Sequence, residues 1–233
     1  MKFRNEFFIA LNLWQNGWSE NQDKRNQLAI ELKKESELLD EKYKIVDGAC
    51  YRKRFIYPSD MLEVIWEDHK VDGITSWTTD ISYAEFFKGK FRDGAVTAAI
   101  FECNPEKHNV IINLNKLWAC NSFIEAIYSF NEIHPDHCVA IYNFNDSQKE
   151  VILDVPLRGS QICVMSGVSS SFDAICDLEN IPESERPKRF KQLIDGGACI
   201  EEVTYIKKEA AIRAVQNTKQ KFAELLESFD QNK

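Results

Sequence analysis

The chain has 233 residues, of which 44% are hydrophobic and 28% charged, as is ordinary for a globular protein with a sizeable core. The net charge of −8 disfavours the coating of a nucleic acid, although short basic stretches occur at residues 186–191 and 207–221. No apolar run is long enough to cross a bilayer, and Asn and Gln interrupt the apolar N-terminus, so we expect a cytoplasmic protein without a signal peptide.

The cysteines and histidines give no sign of a metal site. The seven cysteines are odd in number and scattered, with no Cys-x-x-Cys pair, which is typical of reduced thiols in a cytosolic protein. Pro135 lies between His134 and His137 and prevents the two imidazoles from sharing a helical face. The sequence therefore predicts no bound metal.

The first 45 residues are predicted to form a helical N-terminal extension. Ser19 and Gln22 have the spacing of a capping box at a helix start. Apolar residues then recur on one helical face, namely Leu28, Leu32, Leu39 and Tyr43. The Lys- and Glu-rich opposite face is expected to meet solvent or a partner protein.

Residues 46–206 are predicted to form the core of the protein. A strand is expected at residues 50–56, followed by a short helix that begins at Pro58. Asp80 is expected to cap a further helix that Gly89 ends. The side chains predicted to face inward are Met61, Leu62, Ile65 and Trp66 in the first helix, and Ala84 and Phe87 in the second.

Strand patterns dominate the second half of this core. Strands are predicted at residues 95–103, 109–114, 137–144, 150–156, 160–168 and 199–206, and helices at 115–130 and within 181–197. Residues 207–233 are predicted to form a C-terminal amphipathic helix, because Val215, Phe222 and Phe229 recur every seven residues. A helix-rich start, a mixed centre and then strands favour the α+β class.

Three polar motifs occur in order along the predicted core. The first is Tyr51-Arg52 on the early strand, and the second is Ser76-Trp77-Thr78 at a strand end before a helix. The third is Gln148-Lys149-Glu150, which leads directly into the aliphatic strand that begins at Val151. Taken singly, each has an ordinary alternative: a solvated basic strand edge, turn hydroxyls, and a surface carboxylate at a strand start.

Together and in this order, the motifs resemble those of the mono-ADP-ribosyltransferases of the Arg-Ser-Glu, cholera-toxin-like class, in the Gln-x-Glu subtype. The resemblance covers roughly residues 50–170 and departs from the family's Ser-Thr-Ser at Trp77. It implies a split, twisted β-sandwich core with flanking helices and an NAD⁺ cleft between the two sheets. It further implies that NAD⁺ is held by Tyr51, Arg52, Ser76, Trp77 and Thr78, and that the catalytic residues are Glu150, Gln148 and Ser76.

The chemistry of NAD⁺ cleavage explains why these residue types are needed. Breaking the bond between nicotinamide and ribose passes through an oxocarbenium-like state, as in glycoside hydrolysis. Glu150 would accept a hydrogen bond from a ribose hydroxyl and stabilise the positive charge. Arg52 would bind a phosphate through its planar guanidinium, while Ser76 and Thr78 would orient Glu150. Trp77 or Tyr142 would stack on the nicotinamide.

The resemblance implies an enzyme that moves ADP-ribose from NAD⁺ to a macromolecule. In the family, Gln at the position of Gln148 accompanies asparagine-type amides or nucleic-acid bases as acceptors, so protein and nucleic acid both stay open. We expect an intracellular bacterial or phage toxin or effector, held by an antitoxin or acting in phage defence, with a partner protein on the helical extensions. The alternatives are an NAD⁺ glycohydrolase with water as acceptor, and an inactive interaction module with the same fold.

Overall fold

A computed structural model describes residues 3–17, 21–144, 148–166, 176, 179–196 and 205–231. Within these ranges the chain combines helices with seven strands, and every strand pairing with a described register is antiparallel. This agrees with the expected α+β class, whereas the split sandwich of the resemblance stays a prediction.

The chain divides into two compact units, each assembled from three separate segments. The first joins Met1–Arg52, His69–Ala84 and Glu102–Leu157, and the second joins Lys53–Asp68, Glu85–Phe101 and Arg158–Lys233. The predicted boundaries after residues 45 and 206 stay a prediction.

The described part of the first unit begins with two helices and ends with a strand, and further strands and helices lie between them. Its helices are α1 (Asn5–Asn16), α2 (Gln22–Glu37), α4 (Leu114–Trp118), α5 (Asn121–Ile133) and α6 (Val139–Asn143), while α3 (Ile81–Phe86) begins in this unit. Its strands are β2 (Ile74–Thr78), β4 (Val110–Asn113) and β5 (Glu150–Asp154), together with the start of β1 (Cys50–Ile56). The strand order is β4-β5-β2-β1.

The second unit continues the sheet order as β1-β3-β6-β7. Its strands are β3 (Thr97–Cys103), whose last two residues belong to the first unit, β6 (Ile162–Ser166) and β7 (Tyr205–Lys207), and its helices are α7 (Arg186–Asp195) and α8 (Glu209–Gln231). Lys53 of β1 is buried, and its ammonium group donates to the carbonyls of Glu85 and Gly89 and to the hydroxyl of Tyr205. Backbone oxygens thereby satisfy a charge that would otherwise be costly to bury.

The N-terminal helices form part of the core of the first unit. Phe8 and Leu11 of α1 and Leu32 of α2 are almost completely buried, in one cluster with Ile112 of β4 and Ile152 of β5. The apolar faces of both helices therefore pack on strands of this unit, so α1 and α2 contribute directly to its hydrophobic stability.

The register between β2 and β5 decides which side chains share a face. Ser76 lies opposite Ile152, Trp77 opposite Val151, and Thr78 opposite Glu150. Because side chains alternate along a strand, the hydroxyls of Ser76 and Thr78 and the Glu150 carboxylate belong to one face, while Trp77 belongs to the other.

One predicted strand is wrong. Residues 137–144 form the short helix α6 after a 3₁₀ turn at Pro135–His137. Ala140 and Ile141 are buried, and the backbone N–H of Ala140 donates to Asn12 Oδ1 of α1 at 3.0 Å. A short apolar run fits a buried strand and a buried helix turn equally well, and here the packing on α1 selects the helix.

Several predicted helix details also differ. Ser19 lies outside the described residues, and the helix cap is Asn21, whose Oδ1 accepts from the backbone N–H of Lys24 at 3.1 Å. The segment after Pro58 forms a 3₁₀ turn and a single π-helical turn, in which Leu62 and Trp66 are 54% and 38% exposed. The inward prediction for these two residues is wrong, because the tighter and wider turns rotate them away from the α-helical face.

The burial of α2 generates a stability prediction. We expect Leu32→Ala to lower the free energy of unfolding by about 2–5 kcal/mol, since it leaves a cavity in a fully packed cluster. Ile30→Ala on the same helix is the matched control, because Ile30 is 65% exposed and should change stability by less than about 0.5 kcal/mol. Urea unfolding followed by circular dichroism measures both, and equal effects would contradict the burial of this face of α2.

Candidate functional site

The carboxylate of Glu150 is the centre of the candidate site. Glu150 is the first residue of β5 and is only 6% exposed. Its Oε1 accepts from Ser76 Oγ at 2.5 Å, and its Oε2 accepts from Gln15 Nε2 at 3.2 Å. One donor comes from the neighbouring strand β2 and the other from the last turn of α1, so both carboxylate oxygens are held in a fixed position.

Burial dominates the electrostatics of this carboxylate. Desolvation raises the pKa of Glu150 above its ordinary value, while hydrogen bonds from Ser76, Gln15 and Trp14 act in the opposite direction and lower the pKa. Burial raises the pKa of the nearby Tyr83 phenol, and the charge of Glu150 adds to this increase, because two negative charges repel. A buried carboxylate whose ionised form is costly is typical of functional sites, since a purely structural position is satisfied by a neutral residue.

Arg52 lies on β1 and contacts the neighbouring strand β2. Its Nη1 donates to the backbone carbonyl of Ser76 at 2.9 Å, and its Nη2 donates to Asp72 Oδ2 at 3.0 Å. Burial, and to a smaller extent the positive charge of Arg25 on α2, lowers the pKa of Arg52 to about 10. None of the described residues accepts a hydrogen bond from the buried Nε of Arg52. The guanidinium is therefore held through both Nη atoms, and not all of its five N–H donors are used.

The other NAD⁺-binding residues of the resemblance are placed differently. Thr78 is buried, and its Oγ1 accepts from the backbone N–H of Asp80 at 3.0 Å, so it braces the turn into α3. Tyr51 is half-buried and pairs with Thr78 between β1 and β2. The structure thus brings Tyr51, Thr78 and Ser76 onto adjacent strands, with Ser76 in contact with the carboxylate.

Neither aromatic residue expected to stack on nicotinamide lies against Glu150. Trp77 is 2% exposed on the opposite sheet face, where its indole N–H donates to Thr75 Oγ1 at 3.0 Å. Tyr142 packs its ring near those of Trp118 and Tyr128, at centroid distances of 6.1 and 6.0 Å. Both residues are explained by packing within the first unit.

Gln148 and Glu150 do not belong to one continuous strand. Lys149 between them has φ of 45°, in the left-handed region, and β5 begins only at Glu150. Lys149 is held in this turn by its Nζ, 2.9 Å from Asp80 Oδ2, and by its carbonyl, which accepts from the backbone N–H of Thr79. Strand alternation therefore does not turn the side chains of Gln148 and Glu150 the same way. Gln148 itself is half-buried.

Sequence reasoning missed four neighbours of the site: Trp14, Gln15, Arg25 and Asp72. Gln15 contacts Glu150, which is 135 positions away in the sequence, and no local motif predicts such a contact. The available signal for the Gln15 contact was the presence of polar residues on an apolar helical face. Asn12 and Gln15 occupy buried positions of α1 among Phe and Leu, where a polar side chain needs a partner.

Other features of the described residues add no further chemistry. They contain no group of three or more His, Cys, Asp or Glu side chains that could hold a metal ion. Six cysteines lie in the described ranges, and all of them are free thiols. Within the same ranges, every helix is too short or too polar to cross a membrane.

Comparison with known proteins identifies no relative. No protein-family model, no curated protein and no solved structure matches the chain. Functional interpretation therefore depends on the residues of the site and their geometry.

The buried carboxylate generates a prediction about pH. A raised pKa in the folded state means that protonation of Glu150 favours folding, so this contribution is present below pH 4.5 and is lost as pH rises through the folded pKa. We expect Glu150→Gln to be more stable than the wild type at pH 8, with the difference shrinking toward pH 4. Urea unfolding at several pH values measures it.

The matched control for this measurement is Glu132→Gln, because Glu132 is an exposed carboxylate on α5. Its effect on stability should be nearly the same at pH 4 and pH 8. A Glu150→Gln variant that is less stable than the wild type at pH 8 would show that the ionised carboxylate stabilises the fold.

Proposed function

We propose that the protein is a mono-ADP-ribosyltransferase that uses NAD⁺ to modify a macromolecular acceptor. The single observation that supports this best is the hydrogen bond from Ser76 Oγ to the buried Glu150 carboxylate. Arg52 donates a further hydrogen bond to the backbone carbonyl of the same Ser76. The three motifs that are far apart in the sequence thereby occupy three adjacent strands, β1, β2 and β5.

Glu150 is the catalytic residue of this proposal. Ionised, it accepts a hydrogen bond from a ribose hydroxyl and stabilises the oxocarbenium-like charge that forms as nicotinamide leaves. In a site with little water this interaction is stronger than in solution, which is why a buried carboxylate suits the reaction. Ser76 is a positioning residue, since its hydroxyl holds one carboxylate oxygen and acts through Glu150.

Arg52 is proposed to bind a phosphate of NAD⁺. Asp72 and the Ser76 carbonyl each accept from one Nη and fix the plane of the guanidinium, and Nε has no acceptor among the described residues, so N–H donors are left for an anion. The pair with Asp72 keeps the charge in place in the absence of ligand. A fixed and planar donor set suits a phosphate better than a flexible ammonium.

The acceptor is proposed to be a protein amide or a nucleic-acid base. This rests on the resemblance of Gln148 to the Gln-x-Glu subtype, in which a neutral amide meets the acceptor. An intracellular toxin or effector, controlled by an antitoxin or used in phage defence, is the biological role that fits such an activity.

One observation favours the alternative of an inactive interaction module. Gln15 donates a hydrogen bond to Oε2 of Glu150, and the carboxylate residue is only 6% exposed, so little of it is open to a substrate. Incubation with labelled NAD⁺ in a lysate, followed by separate protease and nuclease digestion, distinguishes the possibilities. Label on protein or nucleic acid indicates a transferase, free ADP-ribose alone indicates a glycohydrolase, and unchanged NAD⁺ indicates a module without activity.

We expect Glu150→Gln to reduce both transfer and NAD⁺ hydrolysis by at least ~100-fold, the scale of losing one preorganised electrostatic contact. Lys149→Gln is the matched neighbour, because Lys149 is exposed and its ammonium pairs with Asp80. This control should keep activity within about 3-fold, since an exposed ion pair contributes little. Release of labelled nicotinamide measures both variants, and a Glu150→Gln variant with wild-type turnover would contradict the catalytic role.

Gln148→Ala should separate the two half-reactions. Because Gln148 is proposed to meet the acceptor only, transfer should fall by about 10-fold or more while hydrolysis of NAD⁺ persists. Labelled acceptor and free nicotinamide are quantified in the same reaction. Parallel loss of both products would place Gln148 in the NAD⁺ site and remove its role in acceptor choice.

A further inference from the structure

The Glu150 carboxylate is covered by the chain's own N-terminal helix. Ser76 donates a hydrogen bond to Oε1, and Gln15 donates one to Oε2. Glu150 is 6% exposed and Gln15 is 5% exposed. A carboxylate oxygen can accept more than one hydrogen bond, but a group this deeply covered offers almost no surface to a ligand. A substrate hydroxyl can reach Oε2 only if the side chains above it move.

The contact that Gln15 makes is of the same kind as the one a substrate would make. Its amide N–H donates to the carboxylate, as a ribose hydroxyl would. The other end of the amide is poorly satisfied, because none of the described residues donates to the buried Gln15 Oε1. Gln15 thus gives Glu150 a hydrogen bond but leaves its own Oε1 without a donor among the described residues. A ligand hydroxyl could therefore replace the Gln15 amide with little loss of free energy.

Only the last turn of α1 needs to move. The body of the helix is anchored by Phe7, Phe8 and Leu11 in the core and by Asn12, whose Oδ1 accepts from the backbone N–H of Ala140. Asn16 in the last turn is exposed. That turn also carries no basic residue to stabilise the negative end of the helix dipole. Unwinding of this turn gives up the packing of the partly buried Trp14 on the core, but it leaves the buried contacts of Phe7, Phe8 and Leu11 in place.

We propose that residues 13–16 are an autoinhibitory segment, in which Gln15 takes the place of the substrate's ribose hydroxyl on Glu150 until NAD⁺ displaces this turn. The inference rests on the proposed function and adds its regulation. The apparent affinity for NAD⁺ is then reduced by the small fraction of molecules in which the turn has opened, and any change that releases Gln15 raises that fraction.

Calorimetric titration with NAD⁺ tests the proposal on the full chain. Gln15→Met, which keeps the length of the side chain but has no amide donor, should bind NAD⁺ about 10-fold tighter than the wild type, the scale of one hydrogen bond to a charged group. Asn16→Ala is the matched control in the same turn, because Asn16 is exposed, and it should change the affinity by less than about 2-fold.

A second measurement uses the wild type alone and does not depend on the folding of a variant. Amide hydrogen exchange at residues 13–16 should become faster when NAD⁺ is bound, because the displaced turn loses its helical hydrogen bonds. Slower or unchanged exchange at these residues in the NAD⁺ complex would overturn the autoinhibitory segment.

The two ideas fail in distinguishable ways. If the wild type binds NAD⁺ and Gln15→Met binds it equally or less tightly, the autoinhibitory segment is wrong while the proposed function stands. If neither the wild type nor Gln15→Met binds NAD⁺, both are overturned, because release of Glu150 has then exposed no nucleotide site.

Discussion

The antiparallel pairing of β2 with β5 is the constraint on which the candidate site depends. It places Thr78 opposite Glu150 and brings the Ser76 hydroxyl to 2.5 Å from the carboxylate. A slip of one residue would bring Trp77 to this face and turn Ser76 to the other. The aliphatic residues after Glu150 are fully buried, and their burial is what fixes the register. The same hydrophobic effect that stabilises the strand therefore also positions its polar first residue.

The site combines groups that are expensive to bury. Glu150 has its pKa raised by desolvation, and Arg52 has its pKa lowered by the same cause. Each is partly compensated by a specific partner, namely Ser76 and Gln15 for the carboxylate, and Asp72 for the guanidinium. Proteins tolerate such costs where function requires a charge in a low-dielectric position, and the well-packed aromatic cluster of the same unit offsets them.

The N-terminal helices connect stability and the site. Leu11 and Leu32 belong to the core of the first unit, and Gln15, one turn after Leu11, contacts Glu150. A segment that the sequence suggests as an extension is therefore structurally continuous with the strands that carry the three motifs. This explains how an N-terminal change, far from the motifs in the chain, can alter the exposure of the carboxylate.

The sequence by itself determined the local elements and the residue types of the site. Strand β1 has the predicted bounds of residues 50–56, and the helix predicted at residues 115–130 is present as two helices, α4 and α5. The three motifs that the resemblance groups together are joined by the contacts of Ser76 with Arg52 and Glu150. The strand and the helices follow from periodicity and turn residues within short windows, which operate without knowledge of the rest of the chain, whereas the grouping of the three motifs is what the resemblance implies.

Only the tertiary structure decided what surrounds those residues. The apolar run at 137–144 became α6 because it packs on α1, and the turn at Lys149 ended the strand before Gln148. Gln15, Arg25 and Asp72 reached the site through contacts between distant segments. Such choices depend on which long-range packing buries the most apolar surface while satisfying each buried polar atom. No single window of sequence contains that balance.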